Sequence, residues 1–367
     1  MFAHNVRRTI TWHLNGEPVA PLEHRIPGAT QRNVTLKDVA RAAGVGKSTV
    51  SNVLNGSGRV GDAARARVLE TVDQLGYRPN HGARSLRSRR TMQLAYFMPL
   101  NQLEPTNLIM MQFIQSLLRA SAERHYRVLA VAQDDDPLGD IRALAAGRIV
   151  DGVVLSDLRP EDPRTELLAE LGLPFACFGR VRPGLPQTWA DIDNVAAEAE
   201  AVRHVAERGY TRPAYIGYAP QTYWDAEREA GFKAGLARCG IPGEGAGLLR
   251  VEHDASARDE ILSFLSSAKP DAVLTGSDMI AVIVYGAAAE LDLRVGRDLA
   301  VVGFDGSVGT ALLYPHLTSV VMPIEDIARR VVSRALRQIE HGHDSGPGEM
   351  FATWLREGGS SPARVHE

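Results

Sequence analysis

From Met92 onward, short apolar runs alternate with longer amphipathic stretches, and that alternation admits few folds. Leu94 to Phe97, Val128 to Ala132, Gly152 to Leu155, Phe175 to Phe178, Ala214 to Ile216, Ala272 to Leu274 and Leu299 to Val302 have the length and continuity of strands buried on both faces. Between them Met110 to Arg124, Asn194 to Arg208, Glu227 to Cys239, Ile280 to Leu291 and Ile324 to Glu340 fit helices. The pattern predicts an α/β, doubly wound parallel-sheet architecture. With a return strand near Phe351 to Leu355 there are too many strands for one mononucleotide half, so two similar subdomains with a cleft between them are expected. We assign about 92–191 and 321–347 to one, about 192–320 and 348–361 to the other, and 362–367 to a tail.

Residues 34–91 have a different character. Thr35 with Asp38 forms a capping box ahead of a helix from Leu36 to Ala43, on which Leu36, Val39, Ala40 and Ala43 share a face. Gly44-Val45-Gly46 breaks it, and a second helix starts near Lys47 with Val50, Val53 and Leu54 inward. A third, Asp62 to Leu75, turns Val68, Leu69, Val72 and Leu75 inward and ends at Gly76. Residues 34–79 therefore read as an all-α headpiece and 80–91 as a hinge helix and linker. Residues 1–33, with Pro18, Pro21, Pro27, Gly16 and Gly28, read as a flexible extension.

The formal net charge of −3 hides an asymmetry. Residues 34–90 hold 11 Lys/Arg against 4 Asp/Glu, while 91–367 hold 26 against 38. A basic module joined to an acidic one suits a protein that lays one part against a polyanion.

Gly46-Lys47-Ser48 matches the end of a P-loop, but Arg41 stands where that motif needs its first glycine, and a helix precedes it where a strand is required. A Gly-containing turn between two helices suits a helix-turn-helix instead. Its outward and leading positions, Lys47, Ser48, Ser51, Asn52 and Asn55, are all hydrogen-bonding residues, and no acidic residue occurs from Val39 to Gly61.

Other chemistries find little support. Cys177 and Cys239 lack the spacing of a disulfide framework or zinc site and read as two buried thiols, so no metal is expected. There is no HExxH or GxSxG motif, His253-Asp254-Ala255-Ser256 reads as a local polar loop, and neither catalytic residues nor a cofactor are expected. No apolar run suits a signal peptide or a membrane span, which points to the cytoplasm and away from membranes.

The strings VTLKDVARAAGVGKSTVSNVLNGSGRV and LGYRPNHGARSLRS closely resemble the headpiece and hinge of the LacI/GalR family of bacterial regulators. VDGVVL, LPFACFGR, DIDN, EREAGF, SDMIA, VVGFDG and LTSV follow in the family's order, so the resemblance covers Val34 to about Ser361. It implies a DNA-binding transcriptional regulator, a repressor by expectation, acting as a homodimer on double-stranded operator DNA and responding to a small-molecule effector of carbohydrate type. The family's base-reading role falls on Lys47, Ser48 and Asn52, where many relatives carry Arg at the last position. Lys and Asn can pair with guanine and adenine edges. Thr35, Thr49, Ser51 and Asn55 are assigned to phosphates, as are Arg84, Arg87 and Arg89 of the hinge, where Leu86 matches a minor-groove wedge. The effector is expected to meet Arg180, Trp224, Arg228, Ser277, Asp278 and Asp305, with Tyr223 and Trp224 offering a platform. A solute-binding protein of the periplasmic type shares the cleft architecture, but the basic headpiece argues against it.

Overall fold

The computed structural model describes residues 13–14, 17–18, 34–55, 58–77, 90–99, 108–133, 136–219, 222–243, 247–252, 255–342 and 346–364. The chain divides into two compact units, Met1–Arg84 and Ser85–Glu367.

In the first unit, β1 (His13–Leu14) pairs antiparallel with β2 (Glu17–Pro18), within the segment assigned to a flexible extension. The headpiece comprises α1 (Leu36–Ala42), α2 (Lys47–Asn55) and α3 (Asp62–Gln74). Thr35 and Asp38 form the expected capping box, and Gly44, at φ +65°, ends the first helix in a conformation that favours glycine. Val39, Ala40, Ala43, Val50, Val53, Val68 and Tyr77 make the core. Two expected core residues lie outside it: Leu69 is 50% exposed and Leu75 38%. With only two helices to pack against, α3 buries a narrow stripe of Val68 and Thr71, and Tyr77 closes the end of the core.

The second unit contains two six-stranded sheets. The first is built from β3 (Gln93–Pro99), β4 (Arg127–Gln133), β5 (Gly152–Leu155), β6 (Phe175–Phe178), β7 (Trp189–Ile192) and the late β13 (Glu349–Phe351), in the order β13-β7-β6-β5-β3-β4, all parallel. The second holds β8 (Pro213–Tyr218), β9 (Leu248–Val251), β10 (Ala272–Thr275), β11 (Ala300–Asp305), β12 (Thr318–Val321) and β14 (Trp354–Arg356), in the order β14-β12-β11-β10-β8-β9. Only β14 there is antiparallel, pairing with β12. The return strand expected near Phe351 to Leu355 is thus two strands, one in each sheet. This moves Glu349–Phe351, expected with the second subdomain, into the first sheet, where β13 pairs with β7.

Each sheet is covered on both faces, because successive strand residues point to opposite sides. In the first, Ala95, Phe97, Val153, Leu155 and Cys177 pack against α5 (Pro137–Gly147) and α6 (Pro163–Glu170), after α4 (Leu108–Glu123) has crossed the opposite face. In the second, Leu274, Val302 and Phe304 lie in one core with α7 (Asn194–Glu207) and α8 (Tyr223–Cys239), while Val273 and Val301 pack with α9 (Ser256–Ala268) and α10 (Asp278–Glu290). The last helix, α11 (Ile324–His341), returns to the first sheet and packs on α4, β5 and β6. In both sheets the strand order reverses beside the first strand, so each has a switch point at its strand ends, where open α/β sheets bind ligands. Of the two cysteines expected to be buried, Cys177 is, whereas Cys239 at the end of α8 is half-buried.

Candidate functional site

At the leading end of α2, Lys47 and Ser48 are exposed while Thr49 and Asn52 are half-buried, so the first turn offers a free ammonium and hydroxyl. The Asn52 amide lies beside Gly58, where a Cβ would come within 2.8 Å of its Nδ2. Ser51 departs from expectation: it is 5% exposed, because α2 packs against both α1 and α3 and its buried face is wider than the Val50, Val53 and Leu54 spacing suggests. The Thr35 hydroxyl donates to Asp38 at 2.6 Å in the capping box. Arg84, Leu86, Arg87 and Arg89 fall outside the described residues, as does the Asn55 side chain.

The second unit carries a cleft at the carboxyl ends of both sheets. Trp224, Arg228, Ser277, Asp278 and Asp305, five of the six residues expected there, line it, together with Asp157, Asp191, Asn194 and Phe178. Arg228 organises the floor. Its Nε donates to Asn194 Oδ1 at 3.0 Å, and its Nη1 donates to Gly276 O at 2.6 Å and Asp305 Oδ1 at 3.1 Å. The guanidinium lies 3.7 Å from the centre of the Phe304 ring and 4.5 Å from that of Trp224, two cation–π contacts that help hold it in place. The residue is 4% exposed, and it is among those lining the cleft.

The helix carrying Arg228 is fixed by its own sequence. Thr222 and Asp225 form a capping box that starts α8 one turn before the expected Glu227, and Gly231 and Gly235 let it lie flush on α7. A Cβ at Gly231 would stand 2.6 Å from Val195 O, so the glycine of EREAGF is required by backbone approach.

Asp305 adopts φ +113°, a conformation rare for a side-chain-bearing residue, and such strain concentrates at functional positions. Burial raises its carboxyl above the ordinary range, with Arg228 pulling the other way. Asp278 is raised by burial and then by Asp305; its oxygens accept from Ser307 N and Ser319 Oγ, each at 2.6 Å. Ser277 caps α10 through Ile280 N.

Arg180, the sixth expected residue, is not among the residues lining the cleft. It bridges the two halves, donating from Nε to Asp191 at 2.8 Å and from Nη2 to both oxygens of Glu227 at 2.7 and 2.8 Å. Tyr223 lies under this guanidinium rather than in the cleft. A second bridge runs from Trp224 Nε1 to Asp157 Oδ1 at 3.3 Å. Asp157, at φ +49°, and Asn194 went unassigned in the sequence; the first has no motif around it, whereas the second closes the DIDN string and was readable.

Residues 35–80 match the family described as bacterial regulatory proteins, lacI family, and residues 202–361 match the periplasmic binding protein-like domain. The chain is 32% identical over 320 residues to the HTH-type transcriptional regulator CelR of Thermobifida fusca, spanning 83% of this chain and 92% of that protein. A transcriptional regulator CelR–cellobiose complex is similar in structure, with a TM-score of 0.67 at 29% identity over 89% of this chain and 99% of that one. The lac repressor dimer bound to operator and the anti-inducer ONPF has a TM-score of 0.78 at 22% identity, over 90% of this chain and 100% of that one, a likeness of fold.

Proposed function

The chain belongs to the LacI family of bacterial regulatory proteins, and from that premise we propose that it is a sequence-specific DNA-binding transcriptional repressor whose operator affinity is set by a sugar or sugar derivative held between two subdomains. It acts in the cytoplasm as a homodimer on double-stranded operator DNA and performs no catalysis. Lys47, Ser48 and Asn52 read base edges, Thr35, Thr49 and Asn55 engage phosphates, and Arg84, Arg87 and Arg89 neutralise the backbone around a Leu86 wedge. Ser51, being buried, is withdrawn from the phosphate set.

The observation that carries this reading is the Arg228 group. A planar donor, an adjoining carboxylate in Asp305 and the neighbouring Asn194 amide converge on one cleft beside the Trp224 ring. Vicinal hydroxyls need donors and acceptors at such spacing, and the apolar face of a sugar ring needs an aromatic surface. Ligand control of DNA affinity then follows from differential affinity for open and closed forms, typically ~1 to 3 kcal/mol per site.

The test is operator release by a panel of sugars beginning with cellobiose, followed by calorimetry on the active compound. Arg228→Ala and Asp305→Ala should abolish ligand binding while preserving operator affinity. Unchanged ligand affinity in both variants would remove the cleft from the account.

A further inference from the structure

The cleft's charge balance narrows the ligand. Five carboxyl-bearing residues line it, Asp157, Asp191, Glu252, Asp278 and Asp305, against one cation among the described residues, Arg228. That cation donates to Asn194, Gly276, Asp305 and Met322 Sδ and lies against the Trp224 and Phe304 rings. Of the arginines just outside the lining, Arg180 is held by Asp191 and Glu227, Arg164 by Asp162, and Arg356 donates to Gly306 O and Thr310 Oγ1. Each of these guanidiniums already has partners, which opposes the bidentate contact that phosphate recognition uses.

Backbone amides are the other source of positive field, and at three of the helix N-termini beside the cleft a side chain already takes one of them. Helix N-termini bind anions through open N–H groups. At α7, Asp193 accepts from Ala196 N at 2.9 Å; at α8, Thr222 and Asp225 cap each other; at α10, Ser277 accepts from Ile280 N. In the loop after β11, Gly306 N donates to Ser319 Oγ at 3.1 Å and Ser307 N to Asp278 at 2.6 Å. The stretches after residue 90 outside the described set (100–107, 134–135, 220–221, 244–246, 253–254, 343–345 and 365–367) contain no Lys or Arg, so none adds a permanent cation.

We infer that this cleft selects uncharged carbohydrates and rejects their phosphorylated or carboxylated counterparts. The inference rests on the sugar-responsive reading above and adds a charge rule to it. A ligand phosphate entering the closed cleft would lose its water, gain no free cation and face the Asp157 and Asp305 carboxylates, an arrangement that discriminates by repulsion.

The experiment compares matched neutral and anionic compounds on the full-length protein: glucose with glucose 6-phosphate, cellobiose with cellobionate, and inorganic phosphate alone. Calorimetry and operator release are both read. The anionic member of each pair should bind on the order of 100-fold more weakly or not at all, as like-charge burial requires. Asp157→Asn should narrow that gap by roughly tenfold, because Asn keeps the acceptor for Trp224 while removing one charge. Saturable binding of glucose 6-phosphate or inorganic phosphate that Arg228→Ala abolishes, at an affinity matching the neutral partner, overturns the charge rule and leaves the sugar reading standing. Operator release by an uncharged nucleoside alone, with no sugar active, overturns the sugar reading and leaves the charge rule intact.

Discussion

The two halves of the effector unit share one plan and differ in how tightly it is executed. Both sheets run in the same strand order, and both begin at the same device. In the first, Asp151 accepts from Thr91 N, Thr91 Oγ1 and Met92 N; in the second, Asp271 accepts from Thr211 N, Thr211 Oγ1 and Arg212 N. Asp271 is buried and pairs also with Arg364, whereas Asp151 is half-buried. The helix pairs diverge further. α7 and α8 meet through Gly231 and Gly235, while α4 and α11 contain no glycine and meet through side chains. The second half is thus the stiffer one, and it supplies Arg228, Asp278 and Asp305. The first supplies Asp157 and Phe178 and receives the chain arriving from the headpiece. A closely packed floor under Arg228, facing a half that packs through side chains, is the lesson of the pair.

The sharpest way to break this comparison is to add one methyl to the tight pair. Gly231→Ala must push α8 off Val195 O and should cost about 3 kcal/mol or more, with loss of ligand binding as Arg228 moves. The reverse change at the side-chain-spaced pair, Ala328→Gly on α11, should cost only about 1 to 2 kcal/mol. Urea melts of both variants decide it; equal losses would dissolve the distinction between the halves.

The clamps give a smaller contrast. Asp271→Ala removes a buried acceptor shared by Thr211, Arg212 and Arg364 and should cost about 2 to 3 kcal/mol, against roughly 1 to 2 for Asp151→Ala. If the Asp151 variant proves the more damaging in thermal melts, the first half is not the softer one.

Glu198 sharpens the picture by pH. It is buried on α7 with no hydrogen-bond partner for Oε1 among the described residues, and burial pushes its carboxyl up to about 8, Arg228 opposing. The folded state therefore holds a proton that the unfolded chain releases near its ordinary value of 4.5. Its effect on stability is most favourable below that value and is lost as pH rises toward 8. Glu198→Gln should raise stability by about 1 to 3 kcal/mol above pH 7 and leave it nearly unchanged at pH 4.5. A variant equally stable to wild type at pH 8 would show that this carboxyl is solvated.

The smallest expected effect lies where the halves touch. Glu227→Gln keeps a hydrogen-bonding amide opposite Arg180 and Asn194 but removes the ion pair, and with Asp191 still holding Arg180 global stability should change by about 1 kcal/mol. The open form should gain population, read as a larger radius of gyration in solution scattering. No change in scattering would mean the bridge does not hold the halves together.

The sequence made the headpiece legible because its turn chemistry is local: Thr35, Asp38 and Gly44 act within a few residues. The long apolar strands were readable for the same reason. Trp189–Ile192, Leu248–Val251 and Thr318–Val321 were missed, being four residues each with polar members whose burial depends on neighbouring strands. Pro137–Gly147, Pro163–Glu170 and Ser256–Ala268 were not singled out among the intervening helices, the first two being short stretches opened by proline. In the cleft, Arg228, Asp278 and Asp305 sit in strings that mark themselves, while Asp157 reaches the site only because β5 ends there. Arg180 shows the limit of motif reasoning: its string was recognised, but its partner Glu227 is 47 residues away, and only folding assigns the side chain to a bridge.

Trp224 has a consequence of an optical kind. Its ring lies against the Arg228 cation, and its N–H reaches the Asp157 carboxylate on the opposite half, so both neighbours exert an electric field on one indole. Moving the halves apart removes the second neighbour and leaves the first. With Trp12, Trp189 and Trp354 replaced by Phe, the emission of this single indole would follow the cleft in real time, and the protein would carry its own dye.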